Sequence, residues 1–142
     1  RVFSRGHDRL AVRYRGWNIA MIVCYDIRFP VWCRNKNNEY DLLIAVANWP
    51  KVRVDAWNQL LIARAIENEA YVCGVNCKGT DNNGFEYTGD SAAIDFKGKS
   101  INISNDDSEV IYAVLDHEKL DAFRTKFPAW KDADSFQLTD NY

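Results

Sequence analysis

The chain has 142 residues, of which 47% are hydrophobic, 13% aromatic and 27% charged, and its formal net charge is -2. This composition is typical of one globular unit long enough to bury a core. The slightly acidic balance gives no electrostatic reason to expect nucleic acid or an anionic membrane as a partner, and no apolar run approaches the roughly 18 residues that span a bilayer. We therefore predict a cytoplasmic protein that binds neither nucleic acid nor membrane.

The first half of the chain alternates between strand and helix patterns. Residues 9–15 alternate apolar and basic side chains, which predicts a half-exposed strand, and Gly16 then turns the chain into a more buried strand over Trp17–Val23. The elements predicted next are a helix over 29–37 that starts at Pro30, a strand over 41–47, a helix over 54–69 and a strand over 70–76.

The second half reads as turns and short strands. Its predicted elements are a loop over 78–90, a hairpin-like pair over 91–96 and 100–104, a turn at 105–107, a strand over 109–115, a helix over about 117–125 and an irregular tail over 126–142. Alternating strands and helices favour parallel pairing, whereas hairpins add antiparallel strands. The order therefore predicts the α/β class with a mixed sheet.

The four cysteines do not form a recognisable metal or disulfide framework. They are Cys24, Cys33, Cys73 and Cys77, no two of them have the C-x-x-C spacing, and the two histidines cluster with none of them. We expect reduced thiols in a reducing compartment, no metal site and no cofactor.

Cys24 is placed where a fold of this class can hold a nucleophile. The apolar run Ile19–Val23 leads directly into it, and Pro30 follows where a helix can begin. A cysteine at such a strand-to-helix corner lies outside the sheet, with backbone N–H groups and a helix dipole directed at it. The alternative is that Cys24 is one more small buried hydrophobic residue.

Several segments, taken in order, resemble the signatures of the nitrilase (carbon–nitrogen hydrolase) superfamily. They are Val23-Cys24-Tyr25-Asp26-Ile27-Arg28-Phe29-Pro30, Ala47-Asn48-Trp49-Pro50, Ala63-Arg64-Ala65-Ile66-Glu67-Asn68, and Gly89-Asp90-Ser91 with Gly98. The bacterial omega-amidase-like branch is the most similar, through Phe29-Pro30-Val31-Trp32 with Arg34-Asn35 and through Lys126-Phe127-Pro128-Ala129-Trp130.

This resemblance implies a four-layer α-β-β-α sandwich that forms a dimer, and hydrolysis of an amide by a Cys-Glu-Lys triad. Cys24 would be the nucleophile that forms a thioester, and the backbone N–H of Tyr25 would stabilise the oxyanion together with the Lys. The implied substrate is a small omega-amide of a dicarboxylic or 2-oxo acid. Within the superfamily, a nitrile or a carbamoyl compound is the alternative substrate.

The sequence departs from the family pattern before Cys24. The family places its catalytic Glu and Lys upstream of the Cys, but residues 1–23 contain neither residue type. We therefore expect residues 1–142 to be the C-terminal part of a single hydrolase domain, or to need a separate N-terminal chain that carries Glu and Lys. On either expectation they are inactive alone. The alternative is a non-catalytic scaffold partner.

Charged pairs near the Cys24 segment have two interpretations. Asp26 and Arg28 would form an ion pair that braces the corner, or Arg28 would contact the substrate. Arg64 and Glu67 are three residues apart on one predicted helix face, where a structural salt bridge is the simplest role.

Asn48 and Trp49 end the strand predicted next to the Cys24 strand. Because the carboxyl ends of neighbouring parallel strands meet at one edge of a sheet, we predict that both residues line the substrate pocket. The alternatives are a capping role for Asn48 and a core role for Trp49.

Overall fold

The computed structural model describes residues 6, 8–103 and 110–136. Its centre is a five-stranded sheet with the order β1-β2-β3-β4-β7. The strands along the chain are β1 (Leu10–Tyr14), β2 (Trp17–Val23), β3 (Leu42–Ala47), β4 (Tyr71–Asn76), β5 (Lys78–Thr80), β6 (Glu86–Thr88) and β7 (Ala92–Ile94). Strands β2, β3 and β4 are parallel, and the two edge strands pair antiparallel. The predicted mixed α/β class is confirmed.

One face of the sheet is covered by the long helix of the fold. The helices are α1 (Pro30–Cys33), α2 (Val54–Asn68) and α3 (His117–Lys126). Helix α2 buries Trp57, Leu61 and Ala65 in a cluster with side chains of β2, β3 and β4. It lies so close to β4 that a Cβ atom on Gly74 would stand 2.6 Å from Leu61 Cδ1. A glycine is therefore required at this contact.

On the opposite face of the sheet, the described residues form a second cluster at the amino end. There Leu120 and Phe123 of α3 pack with Leu42 and Tyr71. At the carboxyl end, three valines lie side by side in the register of the parallel strands and remain exposed. Their exposed fractions are 62% for Val23, 45% for Val46 and 52% for Val75.

Two local predictions are wrong. The helix predicted over 29–37 ends at Cys33, because Arg34 has extended backbone (φ -60, ψ 127) and Asn37 and Asn38 have positive φ. Helix α1 does begin at Pro30 as predicted, and a 3₁₀ turn over Cys24–Arg28 that the sequence did not predict precedes it. In the loop predicted over 78–90, β5 and β6 form a hairpin.

In place of the strands predicted over 100–104 and 109–115, the described residues form two isolated β-bridges. Ser100 pairs with Ile94, and Ile103 pairs with Tyr112. The turn predicted at 105–107 lies outside the described residues. Across 6, 8–103 and 110–136, no helix is both long and apolar enough to cross a bilayer.

Arg124 joins α3 to the amino edge of the sheet. Its guanidinium is buried and donates three hydrogen bonds of 2.8 Å, to the Glu69 and Tyr40 carbonyls and to the Asp41 carboxylate. Asp41 also accepts a hydrogen bond of 2.9 Å from the Asn18 N–H. A single buried ion pair therefore connects the start of β3, the end of α2 and α3.

We predict that Arg124→Met lowers the free energy of unfolding by about 3–5 kcal/mol, because the buried Asp41 carboxylate loses the guanidinium and keeps only the Asn18 N–H and the part-exposed His117 imidazole, 3.5 Å away. Urea denaturation measures the change. The matched control is Lys119→Met, which removes an exposed ion pair to Asp116 on the same helix and should change stability little. Equal effects of the two substitutions would contradict the prediction.

Candidate active site

The turn that follows β2 holds Cys24 in an unusual backbone conformation. Cys24 has φ +47, in the left-handed region that L-residues with a side chain rarely adopt. The chain then makes the 3₁₀ turn Cys24–Arg28, and the Asp26 carboxylate accepts a hydrogen bond of 3.0 Å from the Val23 N–H. The Asp26 side chain thus closes the turn, of which Cys24 is the first residue.

Arg64 ties this turn to α2. Its side chain is only 4% exposed. Its Nε donates a hydrogen bond of 2.9 Å to the Ile27 carbonyl, and its Nη1 lies 2.9 Å from Glu67 Oε1. The Arg64–Glu67 salt bridge expected from the sequence is therefore formed, and it also fixes the guanidinium that holds the turn.

Arg28 takes a different partner from the one considered first. Asp26 is engaged with the Val23 N–H, while the Arg28 guanidinium lies over two aromatic rings. Its Cζ is 4.9 Å from the ring centroid of Trp49 and 5.9 Å from that of Tyr25. Such cation–π contacts hold the Arg28 side chain across the Cys24 turn.

An open hollow of about 510 Å³ lies at the carboxyl edge of the parallel strands. Eight residues line it: Val23, Cys24, Val46, Ala47, Asn48, Val75, Asn76 and Cys77. The structure thus brings Asn48 to the same hollow as Cys24. Trp49, predicted to line the substrate pocket, is not among these residues: it is buried in the core and packs against Trp57, with ring centroids 5.6 Å apart, which is the alternative core role.

Two residues of the hollow, Asn76 and Cys77, were not identified from the sequence. Asn76 is the last residue of β4, and it pairs with Ala47 at the end of β3. The signal that points to it is a polar side chain that ends an apolar strand, which is the same pattern that identified Asn48. Cys77 follows it along the chain and lines the hollow opposite β2.

The four cysteines are free thiols in different surroundings. Burial raises the pKa of the Cys33 thiol to about 11, and burial also raises the pKa of the Cys73 thiol, so both are protonated at neutral pH. Cys24 is partly exposed and opens into the hollow. Among the residues the structure describes, no three His, Cys, Asp or Glu side chains converge as metal ligands.

Backbone strain is concentrated at functional sites, and open α/β sheets bind their ligands at the carboxyl ends of the strands, which is where Cys24 lies. The carbon-nitrogen hydrolase family profile matches residues 1–125, and the chain belongs to this family. The chain is 50% identical over 137 residues to the omega-amidase YafV of Escherichia coli K12, across 96% of this chain and 53% of that protein. It is 36% identical over 112 residues to the 2-oxoglutaramate amidase of Bacillus subtilis, across 78% of this chain and 43% of that protein.

A solved structure has the same fold. The chain superposes on XC1258 of Xanthomonas campestris, a CN-hydrolase superfamily protein with an arsenic adduct in its active site, with a TM-score of 0.90 and 43% identity. The match covers 96% of this chain and 54% of that one. The nitrilase-superfamily assignment and the corresponding fold are therefore confirmed, and the chain spans about half the length of these relatives.

We predict that Cys24→Gly is more stable than Cys24→Ala by about 1 kcal/mol, because glycine adopts positive φ without the steric cost of a Cβ atom. Urea denaturation of the two variants measures the difference. The same pair of substitutions at Tyr25, which is not among the residues with positive φ, should show the opposite order. An Ala variant as stable as the Gly variant at position 24 would contradict the prediction.

Proposed function

We propose that this chain carries the nucleophile of an amidase that releases ammonia from a small omega-amide of a dicarboxylic or 2-oxo acid. The observation that carries the proposal is the position of Cys24, at a strained corner that opens into the hollow. The substrate class is supported by the similarity to proteins named omega-amidase and 2-oxoglutaramate amidase.

In the proposed reaction the Cys24 sulfur attacks the amide carbonyl carbon, and the electron pair of the C=O bond moves to its oxygen. The Tyr25 N–H donates to this oxyanion, because the first N–H groups of a helical turn have no acceptor within the turn. The proposed catalytic Glu takes the proton of the Cys24 thiol as general base. Collapse of the adduct breaks the C–N bond, and the nitrogen takes that proton from the Glu and leaves as ammonia. Water then attacks the thioester, which releases the acid and restores the thiol.

The residues around Cys24 have proposed roles in binding and support. Asn48 lines the hollow and offers an amide donor and acceptor to the substrate. Arg28 supplies a fixed positive charge for the acid end of the substrate, since its guanidinium is held over Tyr25 and Trp49. Asp26, Arg64 and Glu67 hold the turn and do not contact the substrate.

We propose that residues 1–142 are the C-terminal part of one hydrolase domain whose other part supplies the catalytic Glu and Lys. The relatives are about twice as long as the matched region. The exposed row of Val23, Val46 and Val75 is an apolar sheet face next to Cys24, which a second layer of the sandwich would cover. The whole protein is proposed to act as a homodimer, and its free thiols suit the reducing cytoplasm.

We predict that Cys24→Ala in the full-length protein lowers ammonia release from succinamic acid or a 2-oxo acid monoamide by at least about 1,000-fold. The reason is that no thioester can form without the thiol. A coupled assay for ammonia measures the rate. The matched control is Cys77→Ser, which changes another thiol of the same hollow and should retain most of the activity.

Turnover retained by Cys24→Ala would remove Cys24 from the mechanism. Assays with a nitrile and a carbamoyl compound test the alternative substrates, and activity restricted to either of them would replace the omega-amide. Native mass spectrometry tests the origin of the Glu and Lys. A second polypeptide that copurifies with an active enzyme would indicate a two-chain enzyme. A second polypeptide together with unchanged activity of Cys24→Ala would indicate a scaffold role for this chain.

A further inference from the structure

Asn76 connects the segments that border the hollow. Its side chain is 9% exposed, and its Oδ1 accepts a hydrogen bond of 2.7 Å from the Trp49 N–H. Its Nδ2 donates to the Trp49 carbonyl at 3.0 Å and to the Gly89 carbonyl at 2.7 Å. One side chain therefore holds both peptide groups of Trp49 and the start of the segment that leads into β7.

We propose that Asn76 is a positioning residue for the amidase reaction, which fixes the turn after β3 and so holds Asn48 in the hollow beside Cys24. Asn76 pairs with Ala47 across strands β4 and β3. The next two residues after Ala47 are Asn48, which Asn76 positions, and Trp49, to which Asn76 is hydrogen-bonded. This inference rests on the proposed function, because it assigns Asn76 a role in the same site.

The chemistry of the contact requires an amide. The site needs one acceptor for the Trp49 N–H and two donors for two carbonyl oxygens, and a primary amide supplies both within one planar group. A carboxylate would bring negative oxygen against both carbonyls, and a hydroxyl would satisfy only part of the set. Removing the side chain leaves several buried polar groups of the turn without partners.

The segment held by Asn76 is fixed from other directions as well. The Ser91 Oγ accepts a hydrogen bond of 2.9 Å from the Asn76 N–H and donates to the Asn76 carbonyl at 3.2 Å. The Trp57 Nε1 donates to the Asp90 carbonyl at 2.9 Å. The turn that carries Asn48 is attached to β4 by the Cys77 N–H, which donates to the Ala47 carbonyl at 3.2 Å, and is closed by the Trp49 Nε1, which donates to the Arg53 carbonyl at 2.6 Å. Asn76 holds both the N–H and the carbonyl of Trp49, the residue directly after Asn48. Loss of the Asn76 side chain therefore frees the peptide groups next to Asn48.

The chain contains a matched control for this role at the opposite edge of the sheet. Asn35 is 5% exposed, accepts a hydrogen bond of 3.0 Å from the Tyr40 N–H, and donates to the Tyr40 and Asn68 carbonyls at 2.8 and 3.1 Å. It makes the same set of three side-chain contacts as Asn76, before β3 instead of after it. None of these three side-chain hydrogen bonds ends on a residue that lines the hollow.

The test compares Asn76→Ala with Asn35→Ala in the full-length enzyme, at a temperature where both are folded. With an omega-amide substrate, we expect Asn76→Ala to lower kcat/KM by about 10- to 100-fold, because a displacement of about 1 Å in a reacting geometry has effects of that size. Asn35→Ala should change kcat/KM less than about twofold. Asn76→Ser keeps part of the contacts, gives an intermediate loss, and serves if the alanine variant does not fold.

A double-mutant cycle separates an effect that acts through Asn48 from a general loss of stability. If Asn76 acts through Asn48, the variant Asn48→Ala/Asn76→Ala loses little more kcat/KM than Asn48→Ala alone. Hydrogen exchange gives a second measurement without substrate: Asn76→Ala should speed exchange at the Trp49 amide, and Asn35→Ala at the Tyr40 amide. Equal kinetic losses for Asn76→Ala and Asn35→Ala, or additive losses with Asn48→Ala, would overturn the inference.

Failure of the inference differs from failure of the proposed function. If the unmodified enzyme hydrolyses no omega-amide, the proposed function fails and the kinetic role of Asn76 fails with it, while hydrogen exchange still reports whether Asn76 holds the turn. If the unmodified enzyme is active and the two asparagine variants behave alike, only the inference fails.

Discussion

The hydrogen bond from Arg64 Nε to the Ile27 carbonyl is the contact on which the position of Cys24 depends. A turn that begins with a residue at φ +47 does not hold its shape by local preference, because that conformation is unfavourable for any residue with a Cβ atom. The turn is kept by Asp26 from within and by Arg64 from α2. Helix α2 is itself fixed on the sheet through Trp57 and Leu61, and Ile27 of the turn is fully buried in the same cluster. The core therefore holds the candidate nucleophile both through the Arg64 guanidinium and through the packing of Ile27.

The edge of the sheet explains why residues distant in sequence meet. Strands β2, β3 and β4 are parallel and in register, so Cys24, Asn48 and Cys77 each follow a strand end at the same edge. Parallel pairing alone brings the carboxyl ends of neighbouring strands to one edge of the sheet, which is why binding sites in open α/β folds lie there. The strands do not determine the path of the chain after each strand end. Hydrogen bonds from side chains such as Asn76 fix that path.

The elements with a strong periodic pattern were predictable, and the site was predictable in part. The apolar run of β3 and the helical spacing of α2 predict both elements nearly to their ends, because burial on two faces or on one face leaves a clear pattern. The helix predicted over 29–37 already ends at Cys33, because Arg34 adopts extended backbone, and its carbonyl accepts a hydrogen bond from Arg9, a residue 25 positions earlier in the chain. The place of Asn76 at the sheet edge was predictable, because it ends an apolar strand as Asn48 does. Its role was not, since its partners at Trp49 and Gly89 come from loops that meet only in the folded chain.

The exposed valines of β2, β3 and β4 lie within the same eight residues that line the hollow. A layer that covers Val23, Val46 and Val75 would also enclose the hollow in front of Cys24. Burial of the apolar face and enclosure of the thiol would then be one event, so an incompletely assembled protein would present a cysteine that is open to water and poorly placed for catalysis. In the proposed amidase, the enclosed site would therefore exist only once the apolar face of the sheet is covered.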